Sequence, residues 1–310
     1  MIKHTLYFGN PTYLSTNNNQ LVIKLPEVEK NDTVPDSFKR NNTRMVPIED
    51  IGIIVLDNQQ ITITQGAIEK LLENKVSIIT CDKSRMPVGL LFPLSGNTLQ
   101  NERFRDQLDS SVPLQKQLWQ QTIQAKISNQ ATLLQNERGD KALNMLKWVG
   151  EVKSGDSNNL EARAAAYYWK AVFSSILGFT RGREGIPPNN LLNYGYAILR
   201  AVVARSLVIS GLLPTLGIHH HNRYNAYCLA DDIMEPYRPF VDKIVVDIID
   251  SGINYDEINK ELKIKLLSIP TLEVNINGER SPLMVATQQT TASLYKCFTG
   301  EIRKIAYPEM

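Results

Sequence analysis

A chain of 310 residues with 43% hydrophobic and 21% charged side chains has ordinary globular composition, which excludes a fibrous or disordered polymer and allows one large or two moderate domains. The formal net charge of +2 is too small to argue for a polyanionic partner by itself. Its distribution says more: between Lys141 and Arg205 nine basic residues stand against four acidic ones, a local +5 that leaves −3 for the rest. Such a run is an ordinary solvated helical surface unless a candidate active site lies in the same stretch. Cys81, Cys228 and Cys297 are odd in number and widely separated, so neither a disulfide framework nor a Cys-rich zinc site is indicated, and a reducing cytoplasm fits. The N-terminal MIKHTLYFGNP lacks the apolar core of a signal peptide. The most apolar stretch, about 191 to 213, is interrupted by Arg200 and Arg205, so it reads as a buried helix and no membrane partner is expected.

In chain order, β-branched runs bounded by Asn, Asp, Pro and Gly predict strands at Leu21 to Leu25, Ile51 to Leu56, Ile61 to Thr64, Val76 to Thr80 and Val88 to Phe92. One helix is embedded among them over Gln65 to Asn74, with Ile68, Leu71 and Leu72 on one face and Thr64 as its cap. The only low-complexity tract is Asn17 to Asn19. After Pro93-Leu94-Ser95-Gly96-Asn97 the texture becomes Gln-, Leu-, Lys- and Ala-rich with helical spacing, as in the pairs Leu114 and Leu118, Trp119 and Ile123, and in Leu143, Leu146 and Val149. Asn159 to Phe173 reads as a helix with Asn159 as N-cap, and Leu272 to Ile276 followed by Asn277-Gly278 as a short hairpin. The expected fold class is therefore α+β: a small N-terminal β-sheet domain with one embedded helix over residues 1–96, then a larger, mostly α-helical catalytic domain over 97–310.

The chemistry gathers at three places. Glu161 opens the helix NLEARAAAYYWKAVF; an acid there complements the helix dipole, but Ala164, Ala165 and Tyr168 follow on its own face, which begins small and open to a metal and a phosphate. His219, His220 and His221 stand together after a Gly- and Pro-containing turn. A lone histidine is more often structural, whereas a cluster in a loop is less easily dismissed, because neutral imidazole is a common ligand of divalent metals. Composition does not choose among the three. In Asp231-Asp232-Ile233-Met234-Glu235 the acids at 232 and 235 are one helical turn apart. One aspartate can be spent as a helix cap, which leaves Glu235 unexplained. Two carboxylates and an imidazole suit Mg²⁺ or Mn²⁺.

These residues carry a resemblance. LGIHHHNRYNAYCLADDIMEPYRP (216–239), NLEARAAAYYW (159–169) and LLNYGYAILRAVV (191–203) are similar to the CRISPR-associated spacer-acquisition endonuclease/integrase family, the universal adaptation protein. PIEDIGIIVL (47–56), ITITQGAIEKLLENKVSIITCD (61–82), PVGLLFPL (87–94) and AKISNQATLL (125–134) extend it over nearly the whole chain, and the His-Asn-Arg-Tyr-Asn wording resembles the type II branch. The resemblance implies Glu161, His220 and Glu235 as catalytic metal ligands, with Asp232 a fourth candidate, and His219 and His221 as flanking residues.

It further implies that prespacer 3′-OH ends are joined to the leader-repeat of a CRISPR array by transesterification. The metal would be Mg²⁺ or Mn²⁺. Arg163, Lys170, Arg200 and Arg223 would offer charge to the double-stranded DNA backbone, and Asn193 and Tyr194 would position DNA or simply pack. Implied partners are a second copy in a homodimer and a small ferredoxin-like protein that joins two dimers into a heterohexamer. The RNA-guided effector nuclease is a further candidate partner. The N-terminal domain would carry dimerisation and partner contacts. The rival readings are a purely hydrolytic metal-dependent DNA nuclease and a noncatalytic DNA-binding scaffold.

Overall fold

The computed structural model describes residues 3–30, 35, 37, 39 and 42–310. The chain divides into two compact units, Met1–Gly96 and Asn97–Met310. The first contains β1 (His4–Phe8), β2 (Tyr13–Asn17), β3 (Gln20–Lys24), the short α1 (Pro26–Glu29), β4 (Arg44–Pro47), β5 (Ile51–Leu56), β6 (Thr62–Ile63), α2 (Gln65–Glu73), β7 (Ser77–Cys81) and β8 (Pro87–Leu91). Where one small sheet is expected, there are two four-stranded ones, ordered β1-β5-β7-β8 and β4-β3-β2-β6. In the first, β5 lies parallel to both β1 and β7, and Ile51, Ile53, Ile54 and Val55 are all buried, as an interior parallel strand requires. The embedded helix α2 forms as expected, with the Thr64 hydroxyl accepting from the Ala67 N–H, and it packs Ala67 and Leu71 into a core shared with Phe8, Leu14, Leu21, Ile54 and Ile78.

Strands β1, β2 and β4 are not foreseen from the pattern, and β2 shows why. Tyr13–Asn17 is mostly polar, and it runs into the asparagine tract that reads as low complexity. That tract is a turn: Asn18 (φ 47°) and Asn19 (φ 58°) are both left-handed and close a two-residue hairpin in which Asn17 pairs with Gln20. The stretch around β4 adjoins residues outside the described set.

The second unit contains α3 (Gln100–Leu108), α4 (Val112–Arg138), α5 (Leu143–Glu151), α6 (Leu160–Val172), α7 (Asn189–Ile209), α8 (Cys228–Met234), α9 (Arg238–Asp250), α10 (Lys260–Leu266), the hairpin β9 (Glu273–Ile276) and β10 (Glu279–Pro282), and α11 (Leu283–Phe298). The hairpin turns on Asn277 (φ 53°) and Gly278 (φ 81°), as their sequence suggests. Helix α4 starts on the Ser111 hydroxyl, which accepts from the Leu114 N–H, and stops at left-handed Gly139, whose N–H bonds Leu134 O. It packs against α5, α6, α8, α9 and the 3₁₀ turn Glu235–Tyr237. Helix α7 is long and apolar enough by composition to cross a membrane, yet 72% of that window is buried inside the protein, against α8, α9, α10 and α11. Gly195 permits the crossing with α9, because a Cβ there would lie 2.5 Å from Val241 Cγ1.

The capping of α6 differs from expectation. Asn159 is itself left-handed (φ 51°) and makes no side-chain cap; the carboxylate of Asp156 instead accepts the N–H groups of Leu160 and Glu161, each at 2.9 Å. An ionised acceptor suits the positive end of the helix better than an amide. Neither Asp231 nor Asp232 caps α8, because both lie inside it. The turn that carries Glu235 is anchored from α4: Asn129 Nδ2 donates to Pro236 O at 2.8 Å and Pro308 O at 2.9 Å, and its Oδ1 accepts from Met310 N–H at 3.2 Å. Asn129→Leu is expected to destabilise the protein by about 2–3 kcal/mol, because two carbonyls and an N–H lose their buried partner; chemical denaturation measures it, and an unchanged midpoint would remove Asn129 as an anchor.

Candidate functional site

Glu161 and Glu235 meet at Lys126. Glu161 stands in the first turn of α6 and Glu235 on the 3₁₀ turn after α8, and the Lys126 ammonium on α4 reaches 2.7 Å from Glu161 Oε1 and 2.7 Å from Glu235 Oε2. The contact to Glu161 has hydrogen-bond geometry. The contact to Glu235 is an ion pair of the same length. The other oxygen of Glu235 is 3.0 Å from a guanidinium nitrogen of Arg238, whose plane lies 4.7 Å from the Tyr196 ring. Burial by itself would push the Lys126 ammonium toward neutrality, but the two carboxylates outweigh it and its pKa lies above the ordinary value. Burial pushes Glu235 the other way, toward the protonated form, and Arg238 and Lys126 outweigh it, holding this carboxyl below its usual range. The open face expected beside Glu161 is not open, since Ala164 and Tyr168 are buried.

The histidine loop is organised by one buried acid. Asp232 is fully buried and accepts the His219 N–H at 2.9 Å, the His220 N–H at 3.3 Å and the His220 ring through Nδ1 at 2.5 Å. Gly217 makes this approach possible: a Cβ there would lie 2.4 Å from His220 O and 2.8 Å from Asp232 Oδ2. Asp232 is therefore an orienting acid for His220. The bond from Asp232 raises the His220 pKa above its ordinary value against the effect of burial, and Glu235 and Glu161 add to the rise, so all three acids lie within electrostatic reach of this ring. His219 stacks on Trp119 of α4 with ring centroids 4.1 Å apart and an interplanar angle of 1°, and burial lowers its pKa. His220 meets the same indole edge-on at 5.6 Å, and His221 is exposed.

The neighbouring acids are engaged elsewhere. Asp231 takes a two-pronged pair from Arg200, at 2.6 and 3.1 Å, and a 2.7 Å hydrogen bond from Asn225. Asp242, on α9, accepts from Tyr168 at 2.8 Å and Tyr196 at 2.5 Å, and burial pushes its pKa up to about 6. Of the residues expected to meet DNA, Arg163, Lys170 and Arg223 are exposed, Arg163 lying over the Trp148 ring at 4.8 Å and Arg223 over Tyr224 at 4.7 Å. The Arg200 guanidinium is held by Asp231. Tyr194 is fully buried, with Lys263 5.6 Å from its ring centroid, and Asn193 donates to Arg183 O at 2.8 Å. Among the described residues no three His, Cys, Asp or Glu side chains converge as a ready metal cluster. Lys126, Trp119, Arg238 and Asp156 belong to the site and are not singled out by the sequence.

This helical unit, which brings two acids to a charged lysine beside a histidine fixed by a third acid, has recognisable relatives. Residues 6–271 match the family model described as CRISPR associated protein Cas1, and the chain belongs to the Cas1 family. A CRISPR-associated endonuclease Cas1 from Neisseria meningitidis serogroup C (strain 8013) is 34% identical over 274 residues, 88% of this chain and 89% of that protein. Among solved structures, a casposase bound to integration product superposes with a TM-score of 0.76 at 19% identity over 98% of this chain and 92% of that one. A Cas6-RT-Cas1–Cas2 complex gives 0.72 at 21% identity over 97% of this chain and 35% of that one. The last two share the fold.

His220 is expected to titrate above the ordinary histidine range and to fall toward or below it in Asp232→Asn, followed through its ring protons by NMR; an unchanged titration would mean that Asp232 does not govern this imidazole.

Proposed function

We propose that this chain is a metal-dependent DNA integrase of CRISPR adaptation, joining the 3′-hydroxyl ends of a short duplex to phosphodiesters of a CRISPR array by transesterification. The observation that carries this reading is that Glu161 and Glu235 share the Lys126 ammonium, with His220 within electrostatic reach of both acids, in a Cas1-family chain. Two carboxylates and an imidazole are a donor set that Mg²⁺ or Mn²⁺ accepts. Two details support the fit. Glu161 and Glu235 each already present an oxygen to one cation, the Lys126 ammonium, at 2.7 Å, and Asp232 holds His220 Nδ1, which leaves Nε2 as the ring nitrogen able to bind a ligand. Glu161, His220 and Glu235 would hold the ion, and Asp232 would fix the imidazole. When bound, a divalent cation in this setting polarises a phosphate and lowers the pKa of an attacking hydroxyl.

The chain's own residues supply the rest. Asp232 and Trp119 hold the His219-His220 segment, and Arg238 keeps Glu235 ionised through its other oxygen. Arg163, Lys170 and Arg223, being exposed, are suited to meet DNA phosphates without reading sequence. Two strands must be joined at opposite ends of a repeat, so one active centre is insufficient. A homodimer, paired through a small ferredoxin-like partner into a heterohexamer, satisfies that requirement, and the Cas1–Cas2 complex among the structural relatives supports it.

A labelled duplex incubated with a supercoiled array plasmid and Mn²⁺ is expected to give joined products. Glu161→Ala, His220→Ala and Glu235→Ala should each lower joining by at least about 100-fold, since they remove ligands of a centre worth several kcal/mol of transition-state stabilisation. His221→Ala should retain activity. Cleavage without joining would favour the hydrolytic reading that the relative's name, endonuclease, also allows. Normal joining by Glu161→Ala would make the site a relic.

A further inference from the structure

The proposed reaction gives no role to Lys126, although its ammonium occupies the space between the two carboxylates assigned as ligands. We propose that Lys126 is a built-in counter-ion: it holds Glu161 and Glu235 together before loading and competes with the divalent cation for them, so that this one side chain sets the metal affinity of the centre. This rests on the reading of Glu161, His220 and Glu235 as ligands.

Charge balance favours the displacement. Around the centre three carboxylates, those of Glu161, Asp232 and Glu235, face two cations, Lys126 and Arg238. With His220 neutral, a divalent ion brings this group to zero if the ammonium leaves and to plus one if it stays. Excess charge on groups buried as deeply as Glu235 and Asp232 is penalised, which favours withdrawal. Geometry agrees with the electrostatics. The ammonium lies 2.7 Å from an oxygen of each carboxylate, so a cation that takes both acids as ligands must displace it. The ammonium sits on a flexible four-carbon stem, so its head can move while α4 stays in place. Lys126 is itself buried, while the Glu161 side chain retains 25% exposure, so the contact opens to solvent on its Glu161 side.

The test is Mn²⁺ binding to the full chain, read from the free-ion signal in electron paramagnetic resonance, together with the rise in Tm on adding Mn²⁺. Lys126→Met is expected to start from a lower metal-free Tm, to bind Mn²⁺ about tenfold or more tightly than wild type, and to show the larger metal-induced rise. Lys126→Arg keeps the charge in a fork that can engage both carboxylates, and is expected to bind about tenfold more weakly. Glu161→Gln separates the two levels: if it binds Mn²⁺ as wild type does, the metal reading fails and the proposal with it. If Glu161→Gln loses binding while Lys126→Met binds no more tightly than wild type, the proposal alone is overturned. Should Lys126→Met fail to fold, Lys126→Arg decides, and an unchanged or tighter affinity overturns the competition.

Discussion

Four carboxylates buried within twelve residues set the terms for the rest of the helical unit. Asp231, Asp232, Glu235 and Asp242 are each less than a tenth exposed, and no fold keeps such groups inside without compensating them. Each finds a different kind of partner: a guanidinium for Asp231, backbone N–H groups and an imidazole for Asp232, two cations for Glu235, and two phenols for Asp242. Every partner except the Asp232 loop comes from another helix or a neighbouring turn. The acids therefore dictate which elements must pack around α8 and α9.

That requirement explains the placement of α4 and α7. Helix α4 brings Lys126 to the acids, Trp119 to the histidine loop and Asn129 to the carbonyl beside Glu235. Helix α7 brings Arg200 and Tyr196. Of the four acids, Glu235 alone meets two cations.

Much of this was readable from the residues, for identifiable reasons. The interior strand Ile51–Leu56, helix Gln65–Glu73 with its Thr64 cap, and the Asn277-Gly278 hairpin all announce themselves through local chemistry. Strands β1 and β2 do not, because β1 is defined by nonlocal parallel pairing and β2 is defined by a turn whose two left-handed asparagines look like a polar tract. Glu161, His220 and Glu235 can be nominated from the sequence because ligand types recur there in recognisable surroundings, and the structure brings Glu161 and Glu235 to one lysine. The roles of Asp232, Lys126 and Asp156 depend on which side chains meet, which spacing does not encode. Lys126 did leave a trace: with Trp119, Ile123 and Ile127 it falls on one helical face, a cation where burial calls for an apolar residue. Asn159 misled because an amide before a helix ordinarily caps it, and here Asp156 reaches the same N–H groups first.

The central claim is that Glu161, His220 and Glu235 enclose one divalent cation. The most direct measurement is an anomalous difference map from crystals of the protein soaked in Mn²⁺. The account requires a single strong peak bounded by both carboxylates and His220 Nε2, with the Lys126 ammonium displaced from between the acids. A map with no peak there, and Lys126 still bridging Glu161 and Glu235, would contradict it.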